Sequence, residues 1–367
     1  MKIVFLIDGL GFGGAQRQLV NLAVEFKKSG YEVEVLRYYE DNFYIGILSE
    51  YEITPITVNA SNSFLRMFKI RRKIRELRPN VLISFMGTPN FYGAIASLGW
   101  RTWFFVASER IADEALFVNR KPKLLRCVIS KVADAIVSNS NCAKELWEKY
   151  NPNIVEKLTT IYNIVDIKET YENQFHDGNC KVLIAARYEK EKNLVNLLKA
   201  VLLLSDAERQ KLEIHWYGNE NIESFNGSIL KSGKHFVNEN HLNSTIFLHD
   251  ATEQIHARMS EADFVALFSL SEGLPNAIIE GMQLKKPIIM STVSDYKVLV
   301  DKDNGFCCNP RSVEDIASVL RSAIYTSSKQ RQAMGQCSYD KVWKICSKEK
   351  VVKQWQDLLV NLLKNNQ

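Results

Sequence analysis

KIVFLIDGLGFGGAQRQLVNLAVEFKKSGYEVEVL, residues 2–36, decides the architecture. KIVFLID (2–8) is a short apolar run, rich in β-branched residues, that stops at glycines. Such a run reads as a strand buried on both faces, as in a parallel sheet. The next sixteen residues, Ala15–Gly30, place Leu19, Leu22, Ala23 and Phe26 on one helical face, and Gly30 supplies a C-terminal stop. YEVEVL (31–36) then alternates as a second strand. The segment is a βαβ unit.

The pattern continues outward. Helical periodicity over 64–78, 89–98, 121–133 and 141–149 alternates with strands at 81–85, 103–108, 135–140 and 158–163. The polar stretch DIKETYENQFHDGN (166–179) has no period and reads as a linker. A second alternation follows, with strands at 181–186, 212–218, 246–249, 264–269 and 287–291. Helices are expected at 193–204, 252–261, 275–284 and 312–326, and two more at 329–345 and 348–364 close the chain. Alternation of this kind predicts α/β domains with parallel sheets. We expect two doubly wound, Rossmann-like halves facing each other across a cleft. They would span 1–166 and 167–345, with a C-terminal helix at about 346–367 packing back on the first.

Composition is that of a soluble globular protein, with 46% hydrophobic and 24% charged residues. The N-terminal apolar run is too short for a signal peptide, and no run reaches the ~18 residues of a membrane span. Seven cysteines without a C-x-x-C pair predict reduced thiols, most of them buried, in a cytoplasmic protein. Residues 1–165 hold 22 Lys+Arg against 16 Asp+Glu, whereas 166–367 hold 25 against 26. The basic first half suggests an anionic partner.

Gly9, Gly11 and Gly14 match G-x-G-x-x-G between a strand and a helix, a context suited to a diphosphate on the helix N-terminus. A nicotinamide cofactor would want an acid at the end of the second strand, where this chain has Leu36, Arg37 and Tyr38. Arg37 would suit a phosphorylated ribose, so an NAD(P)-dependent oxidoreductase stays open at this point. The second half is more specific. Arg187 stands just past a strand and Lys192 five residues on, two cations at a strand's carboxyl end. The alternative is an ion pair with Glu189 or Glu191. EGLPNAIIEG (272–281) then places Glu272 on a loop and Glu280 within a helix, with Pro275 expected at its first position. Their carboxyls should lie roughly 10 Å apart or more, too wide for a retaining glycosidase pair at about 5–5.5 Å. A clamp on an extended ligand suits that spacing.

Together these residues resemble the GT-B glycosyltransferases of family 4. Glu272, Gly273, Pro275 and Glu280 match its E-G-x-P-x-x-x-x-E motif, Arg187 and Lys192 its Arg-x4-Lys pair, and Gly13, Gly14 and Ala15 its early glycine loop. The resemblance implies a retaining transfer from a nucleotide sugar, UDP-hexose or UDP-N-acetylhexosamine, to a glycan or polyprenyl-linked acceptor. It implies that Arg187 and Lys192 hold the donor diphosphate, that Glu280 accepts from ribose hydroxyls, and that Glu272 contacts the transferred sugar beside Leu274, Pro275 and Asn276. Gly13 and Gly14 would approach the phosphates. Glu109, just after the strand WFFVAS (103–108), is a candidate for orienting the acceptor; the alternative is an ion pair with Arg110. No cofactor, no metal and no nucleic-acid partner is expected, because cations and helix N-termini can carry the leaving-group charge. A sugar-nucleotide epimerase of the same architecture and a non-catalytic carbohydrate module are the competing classes.

Two basic stretches suggest peripheral docking on an anionic membrane. RMFKIRRKIRELR (66–78) holds seven cations against Glu76 and would put Met67, Ile70, Ile74 and Leu77 on one stripe. NRKPKLLRCVISK (119–131) interleaves Leu124, Leu125, Val128 and Ile129 with five cations. The alternative is that both stripes face the first domain's own core.

Overall fold

The computed structural model describes residues 1–167, 169–173, 175, 177–220 and 228–364. The chain divides into two compact units: Met1–Ile164 with Lys348–Gln367, and Val165–Ser347. Lys168, Gln174 and His176, within the expected linker, lie outside the described residues.

The first unit's sheet comprises β1 (Lys2–Leu6), β2 (Glu32–Arg37), β3 (Ile56–Thr57), β4 (Val81–Phe85), β5 (Phe104–Glu109), β6 (Ala135–Ser138) and β7 (Leu158–Thr160). Their order is β3-β2-β1-β4-β5-β6-β7, and every pairing is parallel. The strands alternate between two apolar layers, because successive side chains point to opposite faces. Ile3 and Phe5 join a core with α1 (Gly14–Lys28), α2 (Ile45–Glu50) and the C-terminal helix α16 (Lys348–Lys364). Val4 and Leu6 join another with α3 (Ser63–Leu77), α4 (Gly87–Ala96), α5 (Ala115–Val118), α6 (Arg120–Val132) and α7 (Asn141–Tyr150). Trp355 of α16 is 1% exposed and stacks on Phe85, with 6.4 Å between ring centroids.

The second unit repeats the design with β8 (Cys180–Ala185), β9 (Leu212–Tyr217), β10 (Ile246–His249), β11 (Phe264–Leu267), β12 (Ile288–Ser291) and β13 (Gly305–Cys308). The order is β10-β9-β8-β11-β12-β13, again all parallel. Its helices are α8 (Leu194–Leu202), α9 (Asp206–Arg209), α10 (Ile229–Glu239), α11 (Ile255–Ser260), α12 (Asn276–Gln283), α13 (Tyr296–Leu299), α14 (Val313–Ile324) and α15 (Ser328–Cys346).

Several expectations need correction. The stripe Met67, Ile70, Ile74 and Leu77 faces the core: Ile70 and Ile74 are fully buried, and Met67 and Leu77 pack against them. In α6, Ile129 is buried, Val128 packs on the same core and Arg126 is buried, leaving Leu124 exposed. A helix that covers a sheet spends its apolar stripe there. Only Cys180, Cys308 and Cys346 of the seven free thiols are buried; the other four are half-buried. Burial pushes the Cys180 and Cys308 thiols up to about 12. The short elements α2, α5, α9, α13, β3 and β13 have no periodic signal long enough to read, and α10 was likewise not anticipated.

Candidate active site

In the second sheet the strand order reverses between β8 and β11. Chains leaving two such strands diverge to opposite sides and open a crevice at their carboxyl ends, which is where doubly wound sheets bind ligands. Arg187 follows β8 and Glu272 follows β11, so both arrive at this point. Lys192 joins them: its Nζ stands 2.5 Å from Glu272 Oε1, with side chains 18% and 13% exposed. Arg187 pairs instead with Glu189, Nη1 to Oε1 at 3.1 Å, and its side chain is 55% exposed. An exposed pair of that kind contributes about 0–1 kcal/mol, so an incoming anion can displace it.

The two loops are tied together. The Leu270 N–H donates to the Glu191 carbonyl (2.8 Å). Asn193, held in the left-handed region at φ 68°, donates from Nδ2 to the carbonyls of Phe268 (3.0 Å) and Pro310 (2.7 Å). Ser269 Oγ donates to Glu272 Oε1 (2.7 Å), and Ser291 Oγ to the Ser269 carbonyl (2.8 Å). The Ser294 hydroxyl donates to the Gly273 carbonyl. Ser294 therefore holds the loop that carries Glu272. Two glycines are steric requirements. A Cβ at Gly218 would stand 2.0 Å from the Ala186 carbonyl oxygen, beside Arg187, and one at Gly281 would stand 2.7 Å from Val265 Cβ.

Leu274 and Pro275 are buried, and α12 begins one residue later than expected. Pro275 has ψ 109°, an extended conformation, so it is the N-cap and Asn276 opens the helix. No side chain caps that terminus, whose amides lie immediately after the Glu272 loop. Glu280, 7% exposed, meets His256 of α11, Oε2 to Nε2 at 3.1 Å. Each glutamate thus has its own partner, Lys192 for Glu272 and His256 for Glu280. Asn193, Ser269 and His256 were not singled out from sequence, and a lone histidine 24 positions before Glu280 carries no local signal.

Comparison with known proteins gives this constellation its family. Residues 167–341 match the model described as Glycosyl transferases group 1, and residues 12–169 match Glycosyltransferase Family 4. The chain is a group 1 glycosyltransferase. It is 24% identical over 314 residues, 83% of each chain, to an α-1,4-N-acetyl-D-galactosaminyltransferase of Campylobacter jejuni that acts on a diNAcBac-PP-undecaprenol-linked glycan. It is 22% identical over 371 residues, 98% of this chain and 99% of the other, to the amylovoran biosynthesis glycosyltransferase AmsD of Erwinia amylovora. Its fold matches HepE of Anabaena, crystallised with UDP and glucose, at a TM-score of 0.84 and 17% identity, covering 98% and 100% of the two chains. The fold is therefore GT-B.

In this glycosyltransferase's first unit, the glycine loop runs from β1 into α1. Gly13 is the N-cap in extended backbone, without a side-chain cap, and Gly14 is the first helical residue. Arg37 is not available to a phosphorylated ribose. It is 6% exposed and donates to Thr57 Oγ1 (3.0 Å), Asn42 Oδ1 (3.0 Å) and the Asp41 carbonyl. That removes Arg37 as support for an NAD(P) oxidoreductase and leaves that reading the glycine loop alone. Glu109 ends β5, 2% exposed, and its Oε2 accepts from Arg126 Nη2 at 2.7 Å. The partner expected from sequence, Arg110, instead donates from Nη1 to Asn163 Oδ1 (2.8 Å) and lies over the Phe85 ring at 4.2 Å. Only the Arg110 backbone N–H reaches Glu109, at 3.2 Å. The buried pair implies that Glu109→Gln destabilises the enzyme by about 1–3 kcal/mol, since Arg126 loses its counter-charge. Chemical unfolding of the variant, alongside its kcat, checks this; loss of turnover at unchanged stability would return Glu109 to the acceptor.

The expectation of metal independence has to meet one D-x-D triplet, Asp301-Lys302-Asp303. It lies just before β13, at the amino end of that strand and away from the ligand edge. Asp301 is engaged there, Oδ2 with Lys341 Nζ (2.5 Å) and Oδ1 with the Asp303 N–H (2.9 Å). Among the described residues no cluster of three His, Cys, Asp or Glu side chains is placed to hold a metal.

Proposed function

We propose that this glycosyltransferase moves a hexose or N-acetylhexosamine from a UDP-sugar to a glycan or polyprenyl-linked acceptor, with retention at the anomeric carbon. The acceptor belongs to cell-surface polysaccharide synthesis, and the enzyme works peripherally at the cytoplasmic face of the membrane. The observation that carries this reading is the convergence of Arg187, Lys192 and Glu272 on the switch point of the second sheet.

The chemistry follows from charge. Breaking the bond from C1 of the sugar to the diphosphate oxygen leaves the electron pair on the diphosphate and positive character on the sugar. Arg187, Lys192 and the amides opening α12 would meet the first charge in a site already organised to do so. Glu272, held by Lys192 and Ser269, would orient sugar hydroxyls. Glu280 would take the ribose hydroxyls. The acceptor oxygen bonds to C1 on the face the diphosphate leaves, and its proton passes to a departing phosphate oxygen, so no protein nucleophile is needed. The UDP bound to HepE and the undecaprenol-linked substrate of the Campylobacter relative favour these donor and acceptor classes.

The test is a thermal-shift panel of nucleotide sugars followed by transfer to lipid-linked acceptors. UDP at about a hundred times its Kd should stabilise the protein by about 2.7 kcal/mol, whereas NADH and NADPH should not shift it. Transfer should survive EDTA; activity lost on chelation and restored by Mg²⁺ or Mn²⁺ would overturn the metal-free reading. Stabilisation by NAD(P)H and none by any nucleotide sugar would overturn the donor assignment.

A further inference from the structure

Helix α3 carries a second stripe that its core-facing residues do not use. Phe64, Phe68, Arg71 and Arg75 recur at intervals of four, three and four, which keeps them on one side of a helix. Phe64 and Phe68 are 66% and 52% exposed, and their rings meet edge to face at 4.8 Å. Leu65 beside them is 44% exposed. The segment after α4 extends the same surface. Arg71 donates to the carbonyls of Ile95 (2.7 Å) and Leu98 (2.8 Å), and Arg75 reaches the Trp100 carbonyl (3.5 Å). Leu98 is 42% exposed and Trp100 82%. A recess of about 740 Å³ opens among Phe68, Arg71, Arg72, Arg75, Glu76 and Arg78.

We propose that this face is the membrane-docking surface of the enzyme: its aromatic rings enter the headgroup region of an anionic bilayer, and its arginines bind lipid phosphates. The proposal rests on the lipid-linked acceptor inferred above and names the surface that delivers the enzyme to it. Three observations select a bilayer. Large apolar side chains this exposed, set together, mark an interaction site. Aromatic residues beside arginines suit an interface that is apolar on one side and phosphate-rich on the other. Cations outnumber acids there: Arg71, Arg72, Arg75 and Arg78 line the recess with Glu76, which pairs with Arg72 (2.8 Å) and Lys73 (3.4 Å). A second copy of the chain across a two-fold axis would set those arginines against themselves, because such an interface joins like surface to like. Anionic lipid supplies the missing counter-charge.

The residues also differ from those the sequence suggested. The membrane-facing side chains are Phe64, Phe68 and Trp100, whereas Ile70 and Ile74 are committed to the core.

Sedimentation with vesicles tests the idea, using phosphatidylcholine alone and phosphatidylcholine with about 30% phosphatidylglycerol. The wild-type protein should pellet with the anionic vesicles and be released at high salt. Arg72→Glu with Arg75→Glu should weaken binding about a hundredfold, and Phe64→Ser with Phe68→Ser and Trp100→Ser at least about tenfold. Circular dichroism and turnover of a UDP-sugar with a water-soluble acceptor should stay at wild-type values in both variants. Those readouts keep the surface separate from the catalytic reading: lost docking with intact turnover supports the proposal. Wild-type protein that remains in the supernatant with anionic vesicles, or variants that bind as tightly as wild type, would overturn it while leaving the transferase assignment standing. Salt-sensitive dimerisation through this face without vesicle binding would equally overturn it.

Discussion

Replacing Glu272 with alanine is expected to lower the transfer rate by about 10²- to 10³-fold, the loss typical of removing one preorganised electrostatic contact from a transition state. Glu272 is held by two groups at once, Lys192 Nζ and Ser269 Oγ, so its position does not have to be found when substrate binds. The same experiment on Arg187 should give a loss of at least about a hundredfold with no change in melting temperature. Its pair with Glu189 is exposed and contributes little to stability. Lys192→Ala separates the two parts of the argument. If Glu272 acts on the sugar in its own right, the Lys192→Ala/Glu272→Ala double variant should be slower than either single variant. Steady-state kinetics with the donor identified by the nucleotide-sugar panel provides the measurement. A folded Glu272→Ala enzyme with near wild-type kcat would refute the site.

Breaking the Asp263–Arg331 pair should cost about 3–5 kcal/mol, because one charge stays behind in a dry interior. Asp263 is fully buried at the foot of β11 and Arg331 of α15 is 2% exposed, with Nη1 to Oδ1 at 2.9 Å. The other Asp263 oxygen accepts from the Lys181 N–H at 2.8 Å, which joins β8 to β11 at the end opposite the loops that carry Arg187 and Glu272. Lys286, also fully buried nearby, donates to the Ser260 carbonyl at 2.6 Å, and burial pulls its pKa down to about 7. Asp263→Ala should therefore lower the melting temperature by about 10 °C, at the 2–4 °C per kcal/mol expected of a unit this size. Replacing both partners, as in Asp263→Leu with Arg331→Met, should recover part of that loss, since Arg331 is then no longer left as an unpaired charge. Thermal unfolding of both variants decides it; an Asp263→Ala protein that melts within a degree or two of wild type would show that the pair contributes nothing.

The parallel sheets were legible because burial on both faces demands nearly continuous apolar strands. KIVFL, VLISF and FVAL could be placed from their residues alone. The same is true of Arg187, Lys192 and Glu272, whose types and spacing give the motif. What spacing did not carry was partnership. Glu109 sits next to Arg110 in the chain, yet a strand end and a helix bring Arg126 to it. Arg37 looked free for a ribose phosphate, yet Thr57 and Asn42 occupy it.

Amphipathic helices show the same division. In α3 the period of Met67, Ile70, Ile74 and Leu77 established a stripe, but a stripe is the same whether it meets a sheet or a lipid. Only the packing against β-strand residues such as Val4 and Leu82 decided that it faces the core, leaving Phe64 and Phe68 outside. By itself the sequence determined what depends on neighbours along the chain: strand and helix periods, the glycine loop, the motif residues and their order. The tertiary structure decided what depends on neighbours in space: the switch point that gathers Arg187, Lys192 and Glu272, the hydroxyls that hold their loops, and which charges are paired. Those contacts join residues far apart in the chain, 80 positions for Lys192 and Glu272, and no local pattern encodes a distance closed only by folding.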